Sequence, residues 1–256
     1  ANQQRVHAQR GELEIAALQT LRHVIGRTDW DRETVLEINP KLTYHFCNET
    51  LRKPFYKGQW FYEACEKHSI FASSCVYPIK GFHLLLEAMP EVLRQYPDAR
   101  INVCGRSFLQ SGLRQNGYEK YLAGLAKKYG LTDKITCLGS LPAGQMKENY
   151  LKANVFVLPS TMENSPNSLG EAMLLGTPSV AADVGGVASI LDPEEGILCP
   201  AVSPEAIAQG ICRVFALKDQ AAAMGERARA HARITHDPKT NLDTLLAIYR
   251  QLSEGA

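Results

Sequence analysis

From residue 69 onward the chain alternates short, almost wholly apolar runs with longer stretches whose apolar residues recur every three or four positions. SIFASSCVY (69–77) precedes GFHLLLEAMPEVLRQYP, in which Phe82, Leu85, Leu86, Met89, Val92 and Leu93 keep a helical spacing. RINVCG (100–105), KITCLG (134–139), NVFVLPS (154–160), PSVAAD (178–183) and GILCP (196–200) read as further strands. Between them, YEKYLAGLAKKYG, AGQMKENYLKA and PNSLGEAMLLG read as helices, and a short element follows Gly185-Gly186. Helices near 203–217, 219–234 and 238–252 close the chain. Strands that are apolar throughout and separated by helices predict a parallel sheet covered on both faces, a doubly wound Rossmann-like α/β domain. Such sheets bind ligands at the carboxyl ends of their strands, where loops enter helix N-termini.

Before residue 69 the pattern changes. A helix (GELEIAALQTLRH), a strand-like HVIGRT and a helix from about Asp31 lead into the irregular, aromatic-rich YHFCNETLRKPFYKGQWFY. Residues 1–66 therefore read as the closing elements of a preceding domain plus a connector, and 67–256 as the ligand-binding domain. The chain opens without Met and directly into a helical pattern, so the expectation is that it is the later part of a longer protein.

Composition narrows the partners. At 45% hydrophobic and 21% charged over 256 residues, the sequence has the balance of a soluble globular protein. Its net charge of +1 gives no field that would recruit nucleic acid or an anionic membrane. The seven cysteines are odd in number and scattered, several in apolar runs such as INVCG and ITCLG, and read as small buried hydrophobes in a reducing compartment. No stretch approaches the roughly 18 to 20 apolar residues of a membrane span, and ANQQRVHAQRGE lacks the apolar core of a signal peptide.

The candidate chemistry centres on ENSPNSLGE (163–171). Ser165 reads as a helix cap with Pro166 in the first turn, so the amides of Asn167, Ser168 and Leu169 would point out of the helix start and suit a phosphate-sized anion. Glu163 precedes the cap and Glu171 lies about a turn and a half into the helix. Carboxylates repel phosphate but accept hydroxyl hydrogen bonds, so a ligand with phosphates in the middle and hydroxyl-bearing rings at both ends would satisfy the arrangement. A nucleotide sugar has that layout. The plainer alternative makes Glu163 a loop carboxylate and Glu171 part of a solvated helix face.

PSTMENSPNSLGEAMLLGTPSVAADVGG resembles the signature of family 4 retaining glycosyltransferases of the GT-B fold. In these, two glutamates separated by seven residues open the helix after a strand ending in Pro-Ser. The Glu-Ala-Met, the following Gly-x-Pro, the later Gly-Gly pair and Lys80-Gly81 after the first strand also match, and the resemblance covers roughly residues 69–252, the donor-binding half. It implies transfer of a sugar from a nucleoside-diphosphate sugar to a saccharide, lipid-linked or other hydroxyl acceptor with retention of configuration, in polysaccharide or glycoconjugate synthesis, without metal or cofactor. It also implies that the acceptor pocket belongs to a missing N-terminal domain, so the piece alone would bind donor and turn over poorly or not at all.

By the same resemblance Glu163 would be the catalytic-site carboxylate on the donor sugar and Glu171 would hold the ribose hydroxyls. Asn167, Ser168 and Leu169 would stabilise the diphosphate, with Lys80 adding a compact positive charge. Gly105-Arg106 and the loop with Leu141 would meet the base, and Gly185 and Gly186 would let the backbone approach the donor, unless they form only a strand-to-helix turn. Many members carry an arginine five or six residues before the lysine. Here that position holds Ser74 or Cys75, so the contact is absent or comes from elsewhere, Arg106 being one candidate. YHFCNETLR resembles the family's interdomain connector and HVIGRT the last strand of its acceptor domain. The placement expected is cytoplasmic, and peripheral at a membrane if the acceptor is lipid-linked.

Other features carry less. Asp29-Trp30-Asp31 imitates an Asp-x-Asp metal site, but Thr28 with Asp31 reads better as a helix start. His23, His45, His68 and His83 lack metal-ligand spacing, and CGRSFLQSG has neither the glycine spacing nor the lysine of a phosphate loop. Two rival functions stay open, a nucleotide-sugar epimerase of related fold and a non-catalytic flavodoxin-like nucleotide-binding module; the second needs neither glutamate.

Overall fold

The computed structural model describes residues 2–109 and 115–254, residues 2–4 by backbone alone. The end of CGRSFLQSG, residues 110–112, lies outside them. The chain divides into two compact units, Leu51–His236 and Ala1–Thr50 with Asp237–Ala256. This partition differs from the sequence boundary at 66/67: the connector from 51 goes with the larger unit and the last helix with the smaller one.

The smaller unit begins with α1 (Asn2–Thr20), β1 (His23–Gly26), α2 (Asp29–Ile38) and β2 (Thr43–Phe46). Thr28 caps α2 by accepting from the Asp31 amide at 3.1 Å, so DWD is a helix start as the sequence indicates. Asn39 closes the end of α1 by donating to the carbonyls of Leu18 and Leu21 at 2.9 and 3.0 Å. TYHF, expected to be irregular, is instead a strand that pairs in parallel with β1, from His23 opposite Thr43 to Gly26 opposite Phe46. Its aromatic, β-branched composition suits a strand better than a connector. The register also brings His23 Nδ1 within 3.1 Å of His45 Nε2, a pairing invisible in their spacing of 22 residues.

The larger unit holds β3 (Glu66–Ala72), α3 (Phe82–Gln95), β4 (Arg100–Val103), α4 (Gly117–Lys128), β5 (Ile135–Cys137), α5 (Ala143–Lys152), β6 (Ala153–Leu158), α6 (Asn167–Leu175), β7 (Ser179–Ala182), β8 (Ile197–Cys199), α7 (Pro204–Leu217) and α8 (Ala221–Thr235). α9 (Pro238–Glu254) returns to the smaller unit. Six strands form one parallel sheet in the order β5-β4-β3-β6-β7-β8. The chain thus winds outward from β3 in one direction and from β6 in the other, which confirms the doubly wound α/β reading and places a switch point between β3 and β6.

Although the strands are continuously apolar, their side chains alternate. Ile70, Ala72, Val155 and Val157 pack into one core with α3, α4 and α7, whereas Phe71, Phe156 and Leu158 enter a second with α5, α6 and α8. β3 is shorter than the run 69–77 because the polar Ser73 and Ser74 have no core to enter, and the Cys75 amide turns aside to the Cys104 carbonyl at 3.0 Å. Six of the seven cysteines are buried, as expected of small hydrophobes, and all are free thiols. No helix among the described residues is long and apolar enough to cross a membrane. One hydroxyl sits where the chain enters and leaves the larger unit: Tyr56 Oη accepts from the Leu51 amide at 3.0 Å and donates to the His236 carbonyl at 2.6 Å.

Candidate functional site

The loops after β3, β4, β5, β6 and β7 meet at the carboxyl edge of the sheet, and every sequence-indicated site residue lies on them or in the first two turns of α6. The loop after β6 runs from Pro159 to Pro166 and carries Glu163. Two glycines hold it. Gly81 takes φ +66 and lies so close to Pro159 that any Cβ would overlap the Pro159 carbonyl oxygen. Gly185 takes φ +55 against the Glu163 carbonyl in the same way, and the Gly186 amide donates to that carbonyl at 3.1 Å. The close approach that Gly185 and Gly186 permit is therefore to the Glu163 peptide. They also begin a turn into the short helical segment Val187–Ser189.

This packing brings together residues 83 positions apart. The Thr161 amide donates to the Ile79 carbonyl at 2.9 Å, docking the turn of Lys80 onto the Glu163 loop. Lys80 Nζ and Ser160 Oγ both donate to Glu163 Oε1 at 2.7 Å, and among the described residues no hydrogen bond is made to Oε2. Glu163 is only 9% exposed and Ser160 is buried, whereas the Lys80 side chain keeps 37% of its surface. Lys80 is thus neither a solvated lysine nor held away from Glu163; a cation and a carboxylate share one corner.

Glu171, eight residues on, belongs to α6 and is 3% exposed, which rules out a solvated helix face. Arg52 forks onto it, Nε to Oε1 at 2.6 Å and Nη2 to Oε2 at 2.7 Å. Burial pushes the Glu171 carboxyl above its ordinary pKa, and the Arg52 guanidinium pulls against that shift. The bonds it donates to Glu171 raise the Arg52 pKa in turn. The sequence reading missed Arg52, although it stands in the connector motif YHFCNETLR, and gave Ser160 no role beyond ending a strand.

The helix start needs correcting. α6 begins at Asn167, the cap position is Pro166, and no side chain caps it. Ser165 makes no capping bond because Pro166 is itself extended (φ −71, ψ 107) and only Asn167 enters the helix. The Leu169 amide is spent on the Pro166 carbonyl at 2.9 Å. Two amides, those of Asn167 and Ser168, keep no bond to another described residue, one fewer than expected. Buried Tyr150 steadies this turn by donating to the Ser168 carbonyl at 3.0 Å.

A cavity of about 520 Å³ opens on the other side of the switch point, lined by Ser73, Ser74, Gly105, Arg106, Leu141 and Met146 among others. Gly105 and Gly139 hold its floor by exchanging amide-to-carbonyl bonds of 2.9 and 3.1 Å. Arg106 lines it, yet its guanidinium forks onto Glu119, the carboxylate that also completes the capping box of α4, and holds that carboxyl below its usual range. The one group among the described residues with metal-ligand spacing is Asp192, Glu195 and His231, whose ligand atoms lie within 4.8 Å of one another. Glu195 there already accepts from the Asp192 amide and contacts His231 at 2.8 Å.

The model of the family described as glycosyl transferases group 1 matches residues 64–231, which span the six-stranded sheet and the site residues from Lys80 to Gly186. The chain belongs to this family. Among curated glycosyl transferase relatives, it is 34% identical over 182 residues to a D-inositol 3-phosphate glycosyltransferase of Segniliparus rotundus, covering 70% of this chain and 39% of that protein. A second protein of that name from Corynebacterium urealyticum is 31% identical over 179 residues, 68% of this chain and 41% of its own length. The chain thus spans about two fifths of the length of these curated relatives. In fold it is similar to sucrose-phosphate synthase of Thermosynechococcus elongatus (TM-score 0.82, 24% identity, 97% of this chain and 63% of that one). It also resembles Anabaena HepE in complex with UDP and glucose (TM-score 0.78, 18% identity, 95% and 66%). These likenesses agree with a GT-B arrangement of the glycosyl transferase sheet.

Proposed function

We propose that this chain is the donor-binding part of a retaining glycosyltransferase that moves a sugar from a nucleoside diphosphate to a hydroxyl acceptor, in polysaccharide or glycoconjugate synthesis. The bond from the anomeric carbon to the diphosphate oxygen breaks, a bond to the acceptor oxygen forms on the same face, and the nucleoside diphosphate and the hydroxyl proton are released. Negative charge grows on the leaving diphosphate, so donors aimed there lower the barrier. In this reading the Asn167 and Ser168 amides, the positive end of α6 and Lys80 supply that stabilisation. Glu163 accepts from sugar hydroxyls through Oε2, Glu171 from the ribose, and the Gly105, Arg106 and Leu141 cavity receives the base. The acceptor is a saccharide, a lipid-linked saccharide or another hydroxyl compound, bound with help from chain beyond these 256 residues. No metal is assigned a role. HepE, solved with UDP and glucose, supports the donor class.

The observation that carries the reading is the pair of nearly buried carboxylates set on either side of a helix start with bare amides. An epimerase acting on the same donors would use the same clefts, and its mark would be a product inverted at one ring carbon in the absence of acceptor. The test is a thermal-shift panel of UDP, GDP, ADP and their sugars. A ligand at a hundred times its dissociation constant adds about 2.7 kcal/mol of stability; a flat response to all of them refutes the proposal.

A further inference from the structure

Arg52 has no part in the mechanism above, yet it makes the tightest contact in the site. Its side chain is 44% exposed while Glu171 beneath it is almost sealed, so the guanidinium caps a buried carboxylate from outside. The Arg52 Cζ also lies 4.9 Å from the centroid of the buried Phe55 ring, which holds the cation from a second side. A bare carboxylate there would bear the cost of desolvation alone. The fork occupies one lone pair on each oxygen, and an ionised carboxylate has about four such positions. Among the described residues no other hydrogen bond to the Glu171 carboxylate is made, so one position on each oxygen is left for a vicinal pair of hydroxyls.

We infer that Arg52 is a positioning residue for the nucleoside end of the donor: it keeps Glu171 ionised and fixes the plane of its carboxylate, so that both oxygens accept from the 2′- and 3′-hydroxyls of one ribose. Arg52 itself does not touch the ligand. This rests on the ribose role proposed for Glu171. Among the described residues, the other titratable groups near this pair are Tyr150 beside Glu171 and Cys104 beside Arg52, both raised by burial and uncharged near neutrality, and His236, packed against Gly170. Glu163 stands on the preceding loop and its partner Lys80 on the turn after β3. Because burial already raises the Glu171 pKa, removal of the guanidinium raises it further, and loss of the carboxylate moves to higher pH.

The experiment compares wild type, Arg52→Gln and Arg52→Lys. Each is titrated with whichever of UDP, GDP and ADP binds and with its 2′,3′-dideoxy form, between about pH 5.5 and 8. Arg52→Gln should bind the ribonucleotide more weakly than Arg52→Lys at the acid end and recover toward the Arg52→Lys level, not the wild-type one, as pH rises. Arg52→Lys, which keeps the charge but loses the fork, should keep the wild-type pH profile with weaker binding at every pH. The dideoxy nucleotide should bind all three alike. Tighter ribonucleotide binding by Arg52→Gln would overturn the inference, since Arg52 would then be a competitor. A loss independent of pH and shared by the dideoxy form would reduce Arg52 to a structural support. If no nucleotide binds wild type, the donor reading itself fails, and the carboxyl carbon of Glu171, followed by NMR in the free chain, still decides the electrostatic half: identical titration in wild type and Arg52→Gln refutes it.

Discussion

Glu163 and Glu171 are eight residues apart and both nearly buried, but they are held in unlike ways. Glu163 rides on a loop pinned at its backbone by two glycines, and its bonds from Lys80 and Ser160 fall on one oxygen. Glu171 stands on a helix, and a single arginine engages both of its oxygens. The first arrangement leaves an oxygen and a half-exposed ammonium to rearrange around a ligand. The second presents a carboxylate whose orientation is set beforehand. A site that must hold one ring firmly and act beside the other would be built with this asymmetry, since orientation set in advance lowers the cost of binding.

The largest effect that would break this comparison is on the loop. Gly81→Ala or Gly185→Ala combines the left-handed cost of about 1–2 kcal/mol with an overlap costing about 1–3 kcal/mol more, so urea unfolding should show a loss of roughly 2–5 kcal/mol. Gly124→Ala, in α4 with open space at its Cβ, should instead stabilise by about 0.5–1 kcal/mol and serves as the control. Next comes Glu171→Ala, for which calorimetry should find nucleotide binding weaker by about 1.5–3 kcal/mol, the range for a hydrogen bond to a charged group. Equal affinity would remove the ribose from Glu171. Glu163→Ala should weaken the intact nucleotide sugar more than the bare diphosphate, which it reaches only through Lys80. If both ligands lose equally, the two carboxylates do not divide the donor between them. The smallest effect belongs to Ser160→Ala, which removes one of two bonds to Oε1 and should cost about 1 kcal/mol of nucleotide-sugar affinity.

The sheet, its helices and the placement of ENSPNSLGE at the sheet's carboxyl edge were legible because period and local motif are written in adjacent residues. The ion pairs were not. Arg52 and Glu171 are 119 positions apart, Lys80 and Glu163 are 83 apart, and only the return of β6 beside β3 makes such partners neighbours. The same limit hid the His23–His45 contact, which depends on the parallel register of two strands. TYHF escaped notice because Tyr44 and Phe46 merge with the aromatic-rich, irregular stretch that follows, which blurs the alternation a strand would show. The missed proline cap has a local cause: a Ser-Pro pair suits either of two helix starts one residue apart, and the dihedrals of Pro166 select the later one.

The Tyr56 hydroxyl ties together the first and last segments of the larger unit, at Leu51 and His236. A module whose two ends meet on one oxygen atom can be cut out, closed by a short linker or reopened elsewhere without stretching its sheet. Residues 51–236 are thus a natural cassette: a circularly permuted form with new ends in an exposed loop should fold, and Tyr56→Phe should loosen its seam before it disturbs its core.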